Sequence, residues 1–231
     1  MPSSPLFGAL FDWDGVVIDS ARQHELSWQQ LSAEIALPLP DNFFKRGFGM
    51  KNEAIIPDLY QWTRDPERIQ AYSLRKEELY REILKADGIE PLPGVGAFLK
   101  TLNDAGIPCV VGSSSHRLNI EICLELFGFS GYFQGIVSSE DVDKGKPDPD
   151  VFLKAARRAG MPPERCVVFE DAPVGIEAGL RGGMKVVGVA TTHGAETLRG
   201  AHRVVKRLDE LTVKDLEALW KKAGTTEGTA P

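Results

Sequence analysis

With 231 residues, 42% of them hydrophobic, the chain holds enough apolar material for one large domain or for a domain carrying an insertion. A formal net charge of −6, with basic residues interleaved among acidic ones rather than gathered into runs, argues against a nucleic-acid partner. The longest apolar stretches, such as Val186 to Ala190, are strand-sized and far short of the roughly 20 residues of a membrane span, which argues against a membrane protein.

The start, MPSSPLFGAL, lacks the basic and long apolar regions of a secretory signal, and its first five residues have the composition of a loose segment. Leu6 to Phe11 then reads as a short apolar strand. From residue 20 to about 90 the texture changes: Leu26, Leu31 and Ile35, and later Leu74, Leu79 and Ile83, recur at helical spacing with no strand-like run between them. Pro91, Pro93, Gly94 and Gly96 interrupt that pattern and read as a linker back into the first unit. Beyond it, strand and helix alternate: Pro108 to Gly112 then Leu118 to Leu126, Gly135 to Ser138 then Pro149 to Ala159, Arg165 to Phe169 then Ala172 to Gly182, and finally Lys185 to Ala190. Such alternation predicts right-handed crossovers and a parallel sheet. The expected architecture is therefore α/β: a Rossmann-like doubly wound parallel sheet formed by residues 1–19 and 92–231, with an inserted helical cap over 20–91 and a loose tail over about 223–231. Cys109 and Cys166 fall in strand-like runs. The odd count of three cysteines, without CxxC or Cys/His spacing, fits a reducing cytoplasm and gives no support to a zinc site.

Ligands of a doubly wound sheet sit at the carboxyl ends of its strands, so the residues just after each apolar run are the candidates for chemistry. Asp12 and Asp14, in FDWDG, follow the first strand, and Gly15 lets the backbone turn close to a ligand. Ser113 and Ser114 follow the second strand and lead into a helix, where hydroxyls and free N–H groups can seat anionic oxygens. Lys146, in KGKPDPD, is held on a loop stiffened by Pro147 and Pro149, whereas Lys144 has the setting of a solvated charge. Glu170 and Asp171 end CVVFED. Each motif alone has a structural alternative, a turn, a cap or a solvated side chain. Several carboxylates converging on one spot, however, repel each other unless a cation shares them, and hard oxygen ligands with room for water and phosphate describe Mg2+.

In this order and at these strand ends, FDWDG, VVGSSS, KGKPDPDVF and VVFEDAPVG resemble the four signature motifs of haloacid dehalogenase superfamily phosphatases. The resemblance implies a nucleophilic Asp12, an acid/base Asp14, phosphate contacts from Ser113, Ser114 and Lys146, and a magnesium site from Asp12, Asp171 and the backbone carbonyl at Asp14, with Glu170 either a further ligand or a partner that holds the ligands in place. Asp14 also places the chain with phosphate-ester chemistry, since dehalogenase relatives lack an acid there and phosphonate-cleaving relatives resemble DWAG. The insertion is similar to the helical cap of the branch that includes phosphoglycolate phosphatase and β-phosphoglucomutase. In that branch His24 matches a substrate-gating histidine, Lys51 falls near an arginine that binds a second phosphate, and Lys76 matches a lysine. Lysine in place of the arginine fork substitutes a point charge for a bidentate grip. The expectation is a magnesium-dependent phosphatase acting on a small phosphorylated metabolite, a sugar phosphate, through an aspartyl-phosphate, as a monomer or weak dimer. A phosphosugar mutase is the first alternative and a non-catalytic phospholigand-binding regulator the second.

Overall fold

Every residue of the run Gly8–Phe11 is buried, the mark of a strand covered on both faces, and in the computed structural model, which describes residues 5–221, this run is the central strand β1. Around it lie β2 (Cys109–Gly112), β3 (Ile136–Val137), β4 (Cys166–Glu170), β5 (Lys185–Val189) and β6 (Arg203–Val205), all parallel, in the order β3-β2-β1-β4-β5-β6. This is the Rossmann-like order, with its switch point between β1 and β4. Alternate residues face opposite layers. Ala9, Phe11, Val111 and Phe169 pack with Phe98 and Leu99 of α5 (Val95–Asp104) and Ile120 of α6 (Arg117–Phe127), whereas Leu10, Val110 and Val168 pack with Phe152 of α7 (Asp150–Arg158) and Ile176 of α8 (Pro173–Arg181).

The helical segment enters after β1. Helix α1 (Ala21–Ile35) packs along α4 (Pro66–Asp87), with the short α2 (Phe43–Gly47), α3 (Asn52–Ala54) and a π turn over Ile55–Leu59 between them. Helix α4 starts where its sequence prescribes, with Asp65 accepting the Glu67 N–H as N-cap and Pro66 at the first helical position. Trp28, Leu31, Ile55, Ile56, Tyr60 and Leu79 form a separate small core for this segment. The two chain crossings run side by side: Ile18 bridges Pro91 antiparallel, and Leu92 N–H donates to Val17 O at 2.9 Å.

Two elements depart from the sequence reading. Pro91 to Gly96, read as linker, passes into α5, where Gly94 takes the left-handed cap position at φ 86° and Gly96 lies within the helix against the Phe129 ring. Strand β6 is only three residues long, too short for an alternation signal, and α9 (Val213–Glu217) follows it. The tail assigned to residues 223–231 lies outside the described residues, as do residues 1–4. No helix of the described residues is long and apolar enough to cross a membrane.

Candidate active site

At the switch point the Asp12 N–H donates to Phe169 O at 3.0 Å, which fixes the loop leaving β1 against the end of β4. Lys146, 4% exposed, stands between two carboxylates, with its Nζ 2.9 Å from Asp12 Oδ1 and 2.7 Å from Glu170 Oε1. Neighbouring Lys144 is exposed. Glu170 also accepts the Ala172 N–H at 2.6 Å, so one side chain caps the start of α8 and holds the lysine. Burial pushes the Asp12 carboxyl up to about 8; the Lys146 charge pulls against this, and Glu170 adds to it. Burial, followed by the charges of Glu170 and Asp12, raises Asp171 well above the usual carboxylate range.

Both Asp171 carboxylate oxygens are buried without a hydrogen-bond partner, and oxygens of Asp12, Glu170 and Asp171 lie within 4.8 Å of one another. An orphaned carboxylate beside two more carboxylates fits a small, hard divalent cation, whose charge would relieve the repulsion. The Asp14 carboxylate is not in this cluster. It points the other way, accepting from Ser20 Oγ at 2.5 Å, from His24 Nε2 at 3.0 Å and from Ser115 Oγ. Burial would raise it, but the His24 contact and the hydroxyls of Ser115 and Ser20 prevail and hold it well below the ordinary carboxylate range.

His24 ties this carboxylate to the helical segment. Its ring stacks on Tyr80 at 4.2 Å, and Nδ1 lies 2.7 Å from Lys76 Nζ. An ammonium has only protons to give, so Nδ1 accepts and the Nε2–H donates to Asp14; the partners fix the tautomer. Lys76, 2% exposed, also donates to Glu77 Oε1 at 2.9 Å. Glu77 in turn accepts from Asn52 Nδ2 at 2.7 Å and from Asn119 Nδ2 of α6 at 2.5 Å, and Asn119 Oδ1 accepts from Arg81 at 3.0 Å. Burial would raise Glu77, but the charge of Lys76 prevails and brings it down to about 2.

The remaining sequence-selected residues are spread around these two groups. Ser113 lines the crevice above Asp12, and its Oγ accepts the Ser115 N–H at 3.1 Å. Ser114 Oγ donates to Gly49 O in the helical segment at 2.9 Å. The first N–H of α6, at Arg117, is already taken by the Glu140 carboxylate at 3.0 Å. Lys51 is turned away from the crevice and donates to Val142 O at 2.7 Å. Trp13 packs beneath the loop at 1% exposure, edge-on to Phe133.

Sequence reasoning missed Ser20, Ser115, Asn52, Glu77 and Asn119, together with Thr191, which donates to Gly15 O, and His193, whose Nδ1 donates to Asp171 O at 3.1 Å. Ser115 ends the same serine run and was within reach of the sequence. Nothing in spacing links Glu77 to Asn119, 42 positions on.

A parallel sheet in the order 3-2-1-4-5-6, with carboxylates at its switch point and a helical segment over them, defines a Rossmann-like α/β protein with an acidic site at the carboxyl ends of its strands. The chain belongs to the haloacid dehalogenase-like hydrolase family, whose model matches residues 8–183. It is 39% identical over 215 residues to a chloroplastic 5-amino-6-(5-phospho-D-ribitylamino)uracil phosphatase of Arabidopsis thaliana, covering 92% of this chain but only 57% of that protein. It is 30% identical over 220 residues to the β-phosphoglucomutase of Bacillus subtilis, covering 92% of this chain and 95% of the relative. Among solved structures, a family IA variant 3 HAD hydrolase from Entamoeba histolytica superposes with a TM-score of 0.84 at 27% identity, covering 94% of this chain and all of that one.

Proposed function

We propose that this protein is a magnesium-dependent phosphatase that releases phosphate from a small phosphorylated metabolite, of the sugar or sugar-alcohol phosphate class, through an aspartyl-phosphate on Asp12. The carrying observation is the pairing of two differently tuned carboxylates at one strand end. Asp12 touches Lys146 and the acidic cluster, while Asp14, two residues on, is held apart by Ser20, His24 and Ser115. An Asp12 oxygen attacks phosphorus as the ester P–O bond breaks, and Asp14 gives the leaving oxygen its proton. Asp14 then takes a proton from water, which attacks phosphorus, breaks the bond to Asp12 and frees phosphate. Lys146 and the Ser113 hydroxyl face the transferring oxygens and offset their charge. Asp12, Glu170, Asp171 and the Asp14 carbonyl would hold the magnesium ion, which neutralises phosphoryl charge when bound.

The Asp14 contacts describe its ionised form, which is the form that activates water. Protonating the leaving group requires the His24 contact to loosen as substrate enters, with residues 20–91 serving as a cap that closes over the crevice. The names of the Arabidopsis phosphatase and of the B. subtilis mutase support phosphate-ester chemistry on a polyol or sugar. A mutase would share the core but needs a seat for a second phosphate, and Lys51, expected there, is engaged with Val142 O. The three buried free thiols support a reducing, cytoplasmic setting.

The test is phosphate release from a panel of sugar and sugar-alcohol phosphates with Mg2+, with chelator, and with Asp12→Asn. Release that needs the metal and falls by about 10⁴-fold or more in the variant supports this reading. Isomerisation dependent on a bisphosphate primer without net release would replace it with the mutase, and binding without any turnover would leave a phospholigand-binding regulator.

A further inference from the structure

The crevice above Asp12 has a wall unlike its floor. Trp28, Phe44, Phe48, Met50, Ile55 and Tyr60 line it from the helical side, with Trp28 edge-on to Tyr60 at 5.0 Å and Phe44 edge-on to Phe48 at 5.1 Å. Among the described residues lining the crevice, the basic ones are His24 and Lys76, and both are engaged: His24 between Asp14 and Lys76, Lys76 between His24 and Glu77. Three carboxylates, Asp12, Asp14 and Glu77, line the same space. A second phosphate on the far side of the substrate would meet no free cation there and would lose its water beside apolar side chains and like charges. A neutral flat ring would gain contact area against the aromatic faces. One polar group on that wall is poised to orient it. Asn52 spends its amide N–H groups on Ser73 and Glu77, at 3.2 and 2.7 Å, while its Oδ1 accepts no hydrogen bond from the described residues.

We infer that the leaving group ends in an uncharged, flat ring carrying an N–H or O–H donor, which packs on Phe44 and Phe48 and donates to Asn52 Oδ1. The inference rests on the phosphatase reading for its phosphate end, and its evidence is the pocket wall. It makes the enzyme selective against bisphosphates, and so against the mutase, because the described residues lining the crevice offer no second anion seat.

The test compares two matched pairs: uridine 5′-phosphate with ribose 5-phosphate, which differ by a ring, and fructose 1,6-bisphosphate with fructose 1-phosphate, which differ by a second phosphate. Calorimetric binding to Asp12→Asn with Mg2+ reads affinity without turnover, and phosphate release by the wild type reads kcat/KM. The ring should raise both affinity and kcat/KM by about tenfold or more, and the second phosphate should raise neither. Phe44→Ala should bring the ring ratio toward one, and Phe44→Leu, which keeps apolar bulk without a flat face, should lower it if the alanine variant folds poorly. Equal binding of the ring pair, or tighter binding of the bisphosphate, overturns the inference while leaving a phosphatase that turns over simple esters intact. A tenfold ring preference in binding with no phosphate release from any ester sustains the inference and removes the phosphatase reading.

Discussion

Gly15 shows how single residues set this site. It sits at φ 76°, and a Cβ there would lie 2.0 Å from Asp171 Oδ2, so only glycine lets the loop after β1 approach the acidic cluster. Gly15→Ala should lower stability by about 2–4 kcal/mol in urea denaturation and reduce phosphate release by about 100-fold or more, because the displaced atoms are those of Asp171. A stable, fully active alanine variant would mean that the loop has another way to pass. Residues at this scale were legible where an apolar run announces its own end: Asp12, Ser113 and Asp171 each follow a strand whose composition marks it, and Glu170 is the last residue of one. Side-chain direction was not legible. Lys51 and Lys76 read alike in the sequence, yet one donates to a core carbonyl and the other is buried against His24 and Glu77, a difference set by packing.

At the scale of elements, α4 joins the helical segment to the core. Lys76 and Glu77 face the crevice, and Glu77 and Arg81, one turn apart, both grip Asn119 on α6. The chain of contacts Asn119–Glu77–Lys76–His24–Asp14 therefore couples the seating of two helices to the carboxylate beside the nucleophile. Glu77→Gln leaves the Lys76 ammonium buried without its counter-charge and should cost about 3 kcal/mol. It should also lower kcat by about tenfold with KM changed less than about threefold, since the affected group is Asp14 and not the phosphate seat. Asn119→Ala should reproduce part of both losses, and the double variant should lose less than the sum, as expected of residues in one network. Glu34→Gln, in the exposed cluster around Arg75, serves as the control with no measurable change. Additive losses at 77 and 119 would show that the two positions act separately. The sheet elements were legible because buried parallel strands are written as continuous apolar runs, whereas α5 and β6 were hidden, one behind glycines that belong to a helix and its cap, the other by its three-residue length.

The whole molecule carries an electrostatic imbalance at its centre that stability measurements can read. In the metal-free protein, burial holds the Asp12 carboxyl up to about 8 against an ordinary 3.8, and Asp171 is raised in the same direction. The folded state thus binds these protons more tightly than the unfolded chain does, so stability is fully present below the ordinary carboxylate range and declines as pH rises toward about 8. Asp14 and Glu77 are shifted the other way, and their contribution changes only in acid, below the ordinary carboxylate range. Between about pH 6 and pH 8.5 the raised carboxyls of Asp12 and Asp171 therefore outweigh the lowered His202 imidazole, which acts in the opposite sense at the acid end of the interval, and the metal-free protein should melt at least about 4 °C lower at the alkaline end. A divalent cation bound by these carboxylates displaces their protons, so its stabilisation should grow with pH over the same interval. Scanning fluorimetry at both pH values, with chelator and with saturating Mg2+, separates the cases. A melting temperature in chelator that does not fall with pH, or a magnesium increment equal at both values, would show that the Asp12 and Asp171 carboxylates do not titrate with the metal. In Asp171→Asn, the metal-free decline should shrink and the magnesium increment should drop with it, because one buried proton and one anionic ligand are removed together.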